Sequence, residues 1–308
     1  MTPPLSRLLA PLVAASTWIA CGPAAPPRAP APTEAARPPG PKPPALSRSE
    51  RRALHARAAA AYDHKEFAGC ATLFEQADDA YSAACCHALG GNRDAAFAQL
   101  AQAIDGKFSD LANLDRDTDL GLLHDDPRWS TTRARLVGKL AERNKLVNPE
   151  LLKLHDDDQG DRAVSSFEQI DWTKVAPRDK ARRQRVDEIL AAGGAKVSAD
   201  YYHAAMVYQH GDLPDEIQRA HDLAVKAVEL DPTNDGARWL AAAAEDRKLM
   251  YEKKPQKWGT QFKKIDGVWV LWTVDPAITD AQRDEWNVPS LAESQARAAQ
   301  LNAAIPAH

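Results

Sequence analysis

The sequence predicts a mainly α protein: helical hairpins, followed by a helical domain that carries one small β-hairpin. Three observations lead there. Apolar and small residues recur at helical spacing through residues 67–77 and 89–104. Capping and terminating residues (Ser47 with Glu50, Asn148-Pro149, Asp231-Pro232) punctuate those runs. Asp266-Gly267 between two β-prone runs is a strong hairpin signal.

The 308 residues leave room for two modest domains and extra segments. A hydrophobic fraction of 44%, a charged fraction of 27% and a mean hydropathy of -0.48 exclude a multi-span membrane protein. With 39 Lys and Arg against 43 Asp and Glu and only 6% aromatics, no basic, aromatic-studded nucleic-acid surface is expected.

Residues 1–20 read as an export signal, in which Arg7 precedes an apolar run too short to span a bilayer. The run ends in Trp18-Ile19-Ala20-Cys21. This is similar to a bacterial lipoprotein cleavage box, with Trp18 where Leu is usual, and implies a lipidated Cys21 that holds the protein to a membrane of the cell envelope. Ordinary secretion with cleavage nearby is the alternative. Residues 21–46, rich in Pro and Ala, read as an extended tether.

Residues 47–138 read as helical hairpins. Ser47 and Glu50 form a capping box for an alanine-rich helix. The Phe67 segment has small residues at close-packing positions, and Leu89-Gly90-Gly91 breaks one helix before the next begins near Asn92. The Leu-Gly turn, the aromatic opening a second helix and the alanines resemble tetratricopeptide repeats, although the copies lack Trp and lie about 26 residues apart rather than roughly 34. Short helices around Leu111, Leu120, Trp129 and Leu136 cap the stack. The resemblance implies a groove for a protein or peptide partner; a helical support for the second half is the other reading. Cys70, Cys85 and Cys86 fall on helix faces, as packed thiols or with Cys70 bridged to Cys85 or Cys86.

Residues 147–304 form the second domain, with its hairpin near 261–274. Asn148 caps a helix with Pro149 at its first position, and further helices are expected over 179–192, 198–209, 214–230 and 235–251. On the last, Trp239, Ala243, Asp246, Arg247 and Met250 share one side, so a carboxylate and a guanidinium lie on or beside the apolar stripe. An EF-hand loop at residues 155–166 fails, because His155 and Ser166 stand where Asp and Glu are needed.

Taken in order, Asp158-Gln159-x-x-Arg162, Gln209-His210, Asp246-Arg247 and Gln256-x-Trp258-Gly259-Thr260-Gln261 resemble an uncharacterised bacterial family, a domain of unknown function. Its signature is Asp-Gln-x-x-Arg, Gln-His, Asp-Arg and Gln-x-Tyr-Gly-Thr-Gln, and Trp258 replaces the Tyr. The resemblance spans residues 149–295 and implies an ordered set of polar positions, with no reaction attached.

The expected function is that of an exported, membrane-anchored lipoprotein acting as a protein-interaction or ligand-binding module. Gln159, Arg162, Gln209, Arg247, Thr260 and Gln261 are the candidate ligand-binding residues. The alternative is a hydrolase-like enzyme with His210 as base, Asp158 or Asp246 orienting it, and Arg247 or the Thr260 and Gln261 groups binding an anionic substrate. No phosphate loop, nucleophile elbow, zinc helix or dinucleotide fingerprint occurs, and no cofactor or metal is indicated.

Overall fold

Ser47 and Glu50 start the first helix as their spacing predicts. The Ser47 hydroxyl accepts the Glu50 backbone N–H, and the Glu50 carboxylate accepts the Ser47 backbone N–H at 2.8 Å. The computed structural model of the protein describes residues 46–163 and 169–303. The export signal, Cys21 and the tether up to residue 45 lie outside these residues, as do 164–168 and 304–308.

The chain then builds α1 (Arg48–Asp63), α2 (Phe67–Gln76), α3 (Ala80–Leu89) and α4 (Arg93–Asp105), each packed on the next. Asp79 and Asn92 cap α3 and α4 by accepting backbone N–H groups. Gly91 takes φ +79 at the predicted break, a conformation open to glycine at no steric cost. Buried alanines let these helices approach closely, and Cys70 of α2 is bridged to Cys86 of α3. Cys85 keeps a buried thiol.

Three short elements follow: α5 (Leu111–Arg116), a 3-10 turn (Thr118–Leu120) and α6 (Gly121–His124). With α7 (Arg128–Asn144) they close the first core around Phe97, Leu100, Ile104, Leu114, Leu123 and Leu136.

The second half contains α8 (Pro149–Gly160), α9 (Trp172–Ala191), α10 (Ser198–Gln209), α11 (Pro214–Leu230) and α12 (Asp235–Tyr251). Here α10 touches all four of the others, around Leu151, Val186, Val207, Ile217 and Leu240. The strands β1 (Phe262–Ile265) and β2 (Val268–Leu271) pair antiparallel, Phe262 opposite Leu271, and Asp266 and Gly267 turn between them with positive φ. Two helices, α13 (Asp280–Glu285) and α14 (Leu291–Ala303), complete the fold, with α14 against β2.

Three local expectations shift. Helix α9 begins at Trp172 rather than at 179 and runs through Pro177, which reads in sequence as a break because it removes one helical hydrogen bond. The second strand stops at Leu271 rather than reaching 274, because Thr273 and Val274 pair with Gln256 instead. Trp239 is exposed, since the core-facing side of α12 is set by Ala237, Leu240, Ala241 and Ala244.

Among the described residues the apolar clusters of the two halves do not merge, although both halves belong to one compact unit. Ion pairs join the halves: Arg48 to Asp235 at 2.8 Å, Arg52 to Asp284 at 3.1 Å and Lys107 to Asp231 at 3.3 Å. No helix among the described residues is long and apolar enough to cross a membrane.

Candidate functional site

Helix α8 places Asp158 and Arg162 one turn apart, so the guanidinium folds back onto the carboxylate at 2.9 Å. Asp158 is fully buried, and Arg162 also reaches Asp179 on α9 at 2.5 Å. Asp179 in turn pairs with Arg182 at 2.7 Å, and Arg182 with Asp161. A row of alternating charges therefore fills the α8–α9 contact, each buried carboxylate facing a guanidinium. The Gln159 side-chain amide adds a donor to Asp158 at 2.9 Å.

The second oxygen of Asp158 meets His210, which follows α10. His210 Nδ1 lies 2.9 Å from Asp158 Oδ2, and the His210 side chain is 22% exposed. A carboxylate at Nδ1 orients the ring and leaves Nε2 for a proton or a ligand, the geometry a general base needs. The chain can turn here because Gly211 has no side chain: a Cβ would lie 2.5 Å from Glu216 Cβ.

Arg247 stands beside this pair. Its Nη1 donates to the Gln209 carbonyl at 2.6 Å and its Nε reaches Gln261 Oε1 at 3.5 Å. Among the described residues no carboxylate comes within ion-pair distance of it. Burial pushes its pKa below the ordinary arginine range; the Arg162 charge acts in the same direction and Tyr251 opposes it. A partly buried cation that meets no carboxylate among the described residues is costly to hold in place. Gln209, 5% exposed, keeps its Oε1 buried without a hydrogen-bond partner among the described residues.

Asp246 is engaged differently. Fully buried, it accepts the backbone N–H groups of Lys257 (2.8 Å), Trp258 (2.9 Å) and Thr260 (2.9 Å) and the Thr260 hydroxyl (2.8 Å). Burial raises its pKa, while these four donors pull it down. The loop they gather needs Gly259, whose φ is +87. Gln256 closes the loop from the other side: its Oε1 accepts the Gln261 N–H at 2.8 Å, and its Nε2 donates to the Trp272 carbonyl at 2.7 Å. Gln261 Nε2 donates to the Ala243 carbonyl at 3.2 Å. The Gln256–Gln261 loop is thus bound to α12 by its own polar side chains.

The structure brings Asp158, Gln159, Arg162, Gln209, His210, Arg247 and Gln261 into one connected set. It places Asp246 and Thr260 in the loop anchor, and His210 finds Asp158, not Asp246, as its carboxylate. Asp179, Arg182, Asp200 and Arg283 are also buried, and no sequence motif marks them. Asp200 accepts three backbone N–H groups at the start of α10, and Arg283 donates to the Trp258 and Ile278 carbonyls. The readable signal was a charge at a core-facing position, such as Asp179 and Arg182 between Val175 and Val186.

Away from this set, Cys85, Asp117 and Asp119 bring ligand-type atoms within 4.8 Å of one another. Their oxygens already accept from Tyr81, Tyr62 and the Cys85 thiol, whose pKa burial pushes up. A surface depression of about 340 Å³, lined by Phe97, Pro127, Arg128, Thr131 and Thr132, belongs to the first half and holds none of the polar set.

No family model matches the sequence, and no curated protein or solved structure is significantly similar to it.

Proposed function

We propose that the protein is an exported lipoprotein, anchored through Cys21 in the cell envelope, whose second half binds a small anionic ligand at Arg247 and His210. The uncharacterised bacterial family that the polar signature resembles belongs to the same reading. The observation that carries it is Arg247, a partly buried guanidinium with no carboxylate partner among the described residues, beside a histidine that Asp158 orients. The Cys70–Cys86 disulfide favours an oxidising compartment. The helical hairpins of the first half offer a surface for a protein or peptide partner.

The test is a thermal-shift and calorimetric titration with inorganic phosphate, citrate and sugar acids, with neutral sugars as controls. A bound anion at a hundred times its Kd adds about 2.7 kcal/mol to stability. Arg247→Met removes a partly buried charge that meets no carboxylate among the described residues, so the variant is expected to melt no lower than the parent while losing the response. Failure of every anion to raise the melting temperature, or a response that survives Arg247→Met, overturns the proposal.

One observation favours a second reading. Asp158 at His210 Nδ1 leaves Nε2 able to take a proton from water attacking an anionic ester held by Arg247. Turnover of phosphoesters or carboxylic esters that His210→Gln abolishes would select this hydrolase; binding without turnover would exclude it for those substrates.

A further inference from the structure

The hairpin carries chemistry that the anion site does not use. Residues 248–272 contain six lysines against two carboxylates, in a chain whose net charge is -4. Glu252 takes up Lys248 and Lys254, and Glu245, just before this stretch, takes up Lys257. Lys253, Lys263 and Lys264 have no ion pair among the described residues.

The register decides which residues share a face. Opposite residues of an antiparallel pair lie on the same side, so Lys263, Ile265, Val268 and Val270 line one face, and Trp272 continues it. Ile265 and Val268 are 47% and 51% exposed at the tip, where β-strands usually place polar residues. Lys263 Nζ sits 5.4 Å from the centre of the Trp272 ring, and Lys264 Nζ 5.9 Å from that of Trp269 on the other face. The Trp272 indole N–H donates to the Lys254 carbonyl at 2.8 Å, which brings the 253–254 lysine pair to the open end of the hairpin, away from the turn. Helix α14 contacts β2, and Asn302 takes both backbone polar groups of Trp269, so the strand is fixed at that residue.

We propose that the exposed tip of the hairpin, with the lysine–tryptophan pair on each of its faces, is a peripheral contact for a bilayer surface rich in anionic headgroups. The apolar tip enters the headgroup boundary, the tryptophans sit at the level where an amphipathic ring is most stable, and the lysines extend their stems past the rings toward phosphate. Each lysine near an anionic surface strengthens binding, and the attraction falls off within a Debye length. The contact is independent of the anion site and of any lipid at Cys21. It would fix the orientation of the second half toward the membrane, where a tether alone would leave it free to rotate.

The experiment uses the full chain with Cys21→Ser, so that no acyl chain contributes. Co-sedimentation is measured with phosphatidylcholine vesicles, alone and with phosphatidylglycerol as roughly a third of the lipid. The chain is expected to bind the anionic vesicles and not the neutral ones, with a blue shift in tryptophan emission and loss at high salt. Lys263→Glu with Lys264→Glu is expected to weaken binding by about tenfold or more, and Ile265→Ser with Val268→Ser to abolish the blue shift. Asp266→Asn is expected to tighten binding, because it removes the one carboxylate at the tip and asparagine tolerates the positive φ of that position. All these positions are exposed, and a melting curve for each variant reports folding. Equal binding to both vesicle types, no binding to either, binding indifferent to the lysine reversals, or capture by immobilised polyglutamate in place of vesicles would each overturn the proposal.

Discussion

Replacing Asp246 with Asn changes one atom and reverses one hydrogen-bonding role. The parent carboxylate serves four donors, three of them backbone N–H groups of the 257–260 loop. Asn offers one oxygen and one amino group. If the oxygen stays with Lys257 and Trp258, the amino group meets the Thr260 N–H; the Thr260 hydroxyl can rotate and accept, but the backbone donor cannot. A buried donor left unpaired costs about 1–3 kcal/mol, and bonds to a neutral oxygen are weaker than bonds to a charged one. Together these place Asp246→Asn about 2–4 kcal/mol below the parent, which in a domain of this size lowers the melting temperature by roughly 6–12 °C. Asp246→Ala, which strips all four bonds, should lose more. Unfolding followed by tryptophan fluorescence suits the measurement, because Trp258 is buried within the affected loop. A loss below about 0.5 kcal/mol for Asp246→Asn would refute the anchoring role. If anion binding vanished at the same time, Asp246 would belong to the ligand site.

Two further outcomes follow from the cores. The Cys70–Cys86 bridge spans 16 residues, so its reduction should cost about 3 kcal/mol; Cys85→Ser should keep that response to reductant and Cys86→Ser should lose it, and a melting temperature unaffected by reductant would contradict the bridge. Burial, reinforced by the His155 ring 4.8 Å away, pushes the His203 pKa from 6.5 down to about 4. Below pH 6.5 the unfolded chain therefore takes up a proton that the folded chain declines. The stability tied to neutral His203 is complete above that pH and falls away toward pH 4, by at most about 3 kcal/mol. Denaturant titrations across that range should show the slope, and His203→Gln should flatten it; an unchanged slope would place the titration elsewhere.

What the sequence determined by itself was local. Ser47 with Glu50, Asn148 with Pro149, and Asp266-Gly267 each act through neighbours within a few residues, so cap, first turn and hairpin were legible without a fold. Helical periodicity likewise identified most helices, and it failed at α9 because Pro177 is a break by its own chemistry and is tolerated only when the rest of the helix is packed. The polar signature was legible as a set of positions, yet not as a division of roles.

Only tertiary structure decided that division. Asp158 and His210 are 52 residues apart, and Asp246 lies between 11 and 14 residues from the loop it gathers. Which carboxylate meets the histidine and which is enclosed by backbone donors depends on how α8, α10 and α12 pack, a matter of distances that no spacing along the chain encodes. The same holds for Arg247: a charge beside an apolar stripe is visible in sequence, but that it meets no carboxylate among the described residues emerges only when every helix around it is in place. Pairing in a low-dielectric interior is a three-dimensional count, and it is this count that separates Asp246, enclosed by four donors, from Arg247, which meets no carboxylate among the described residues.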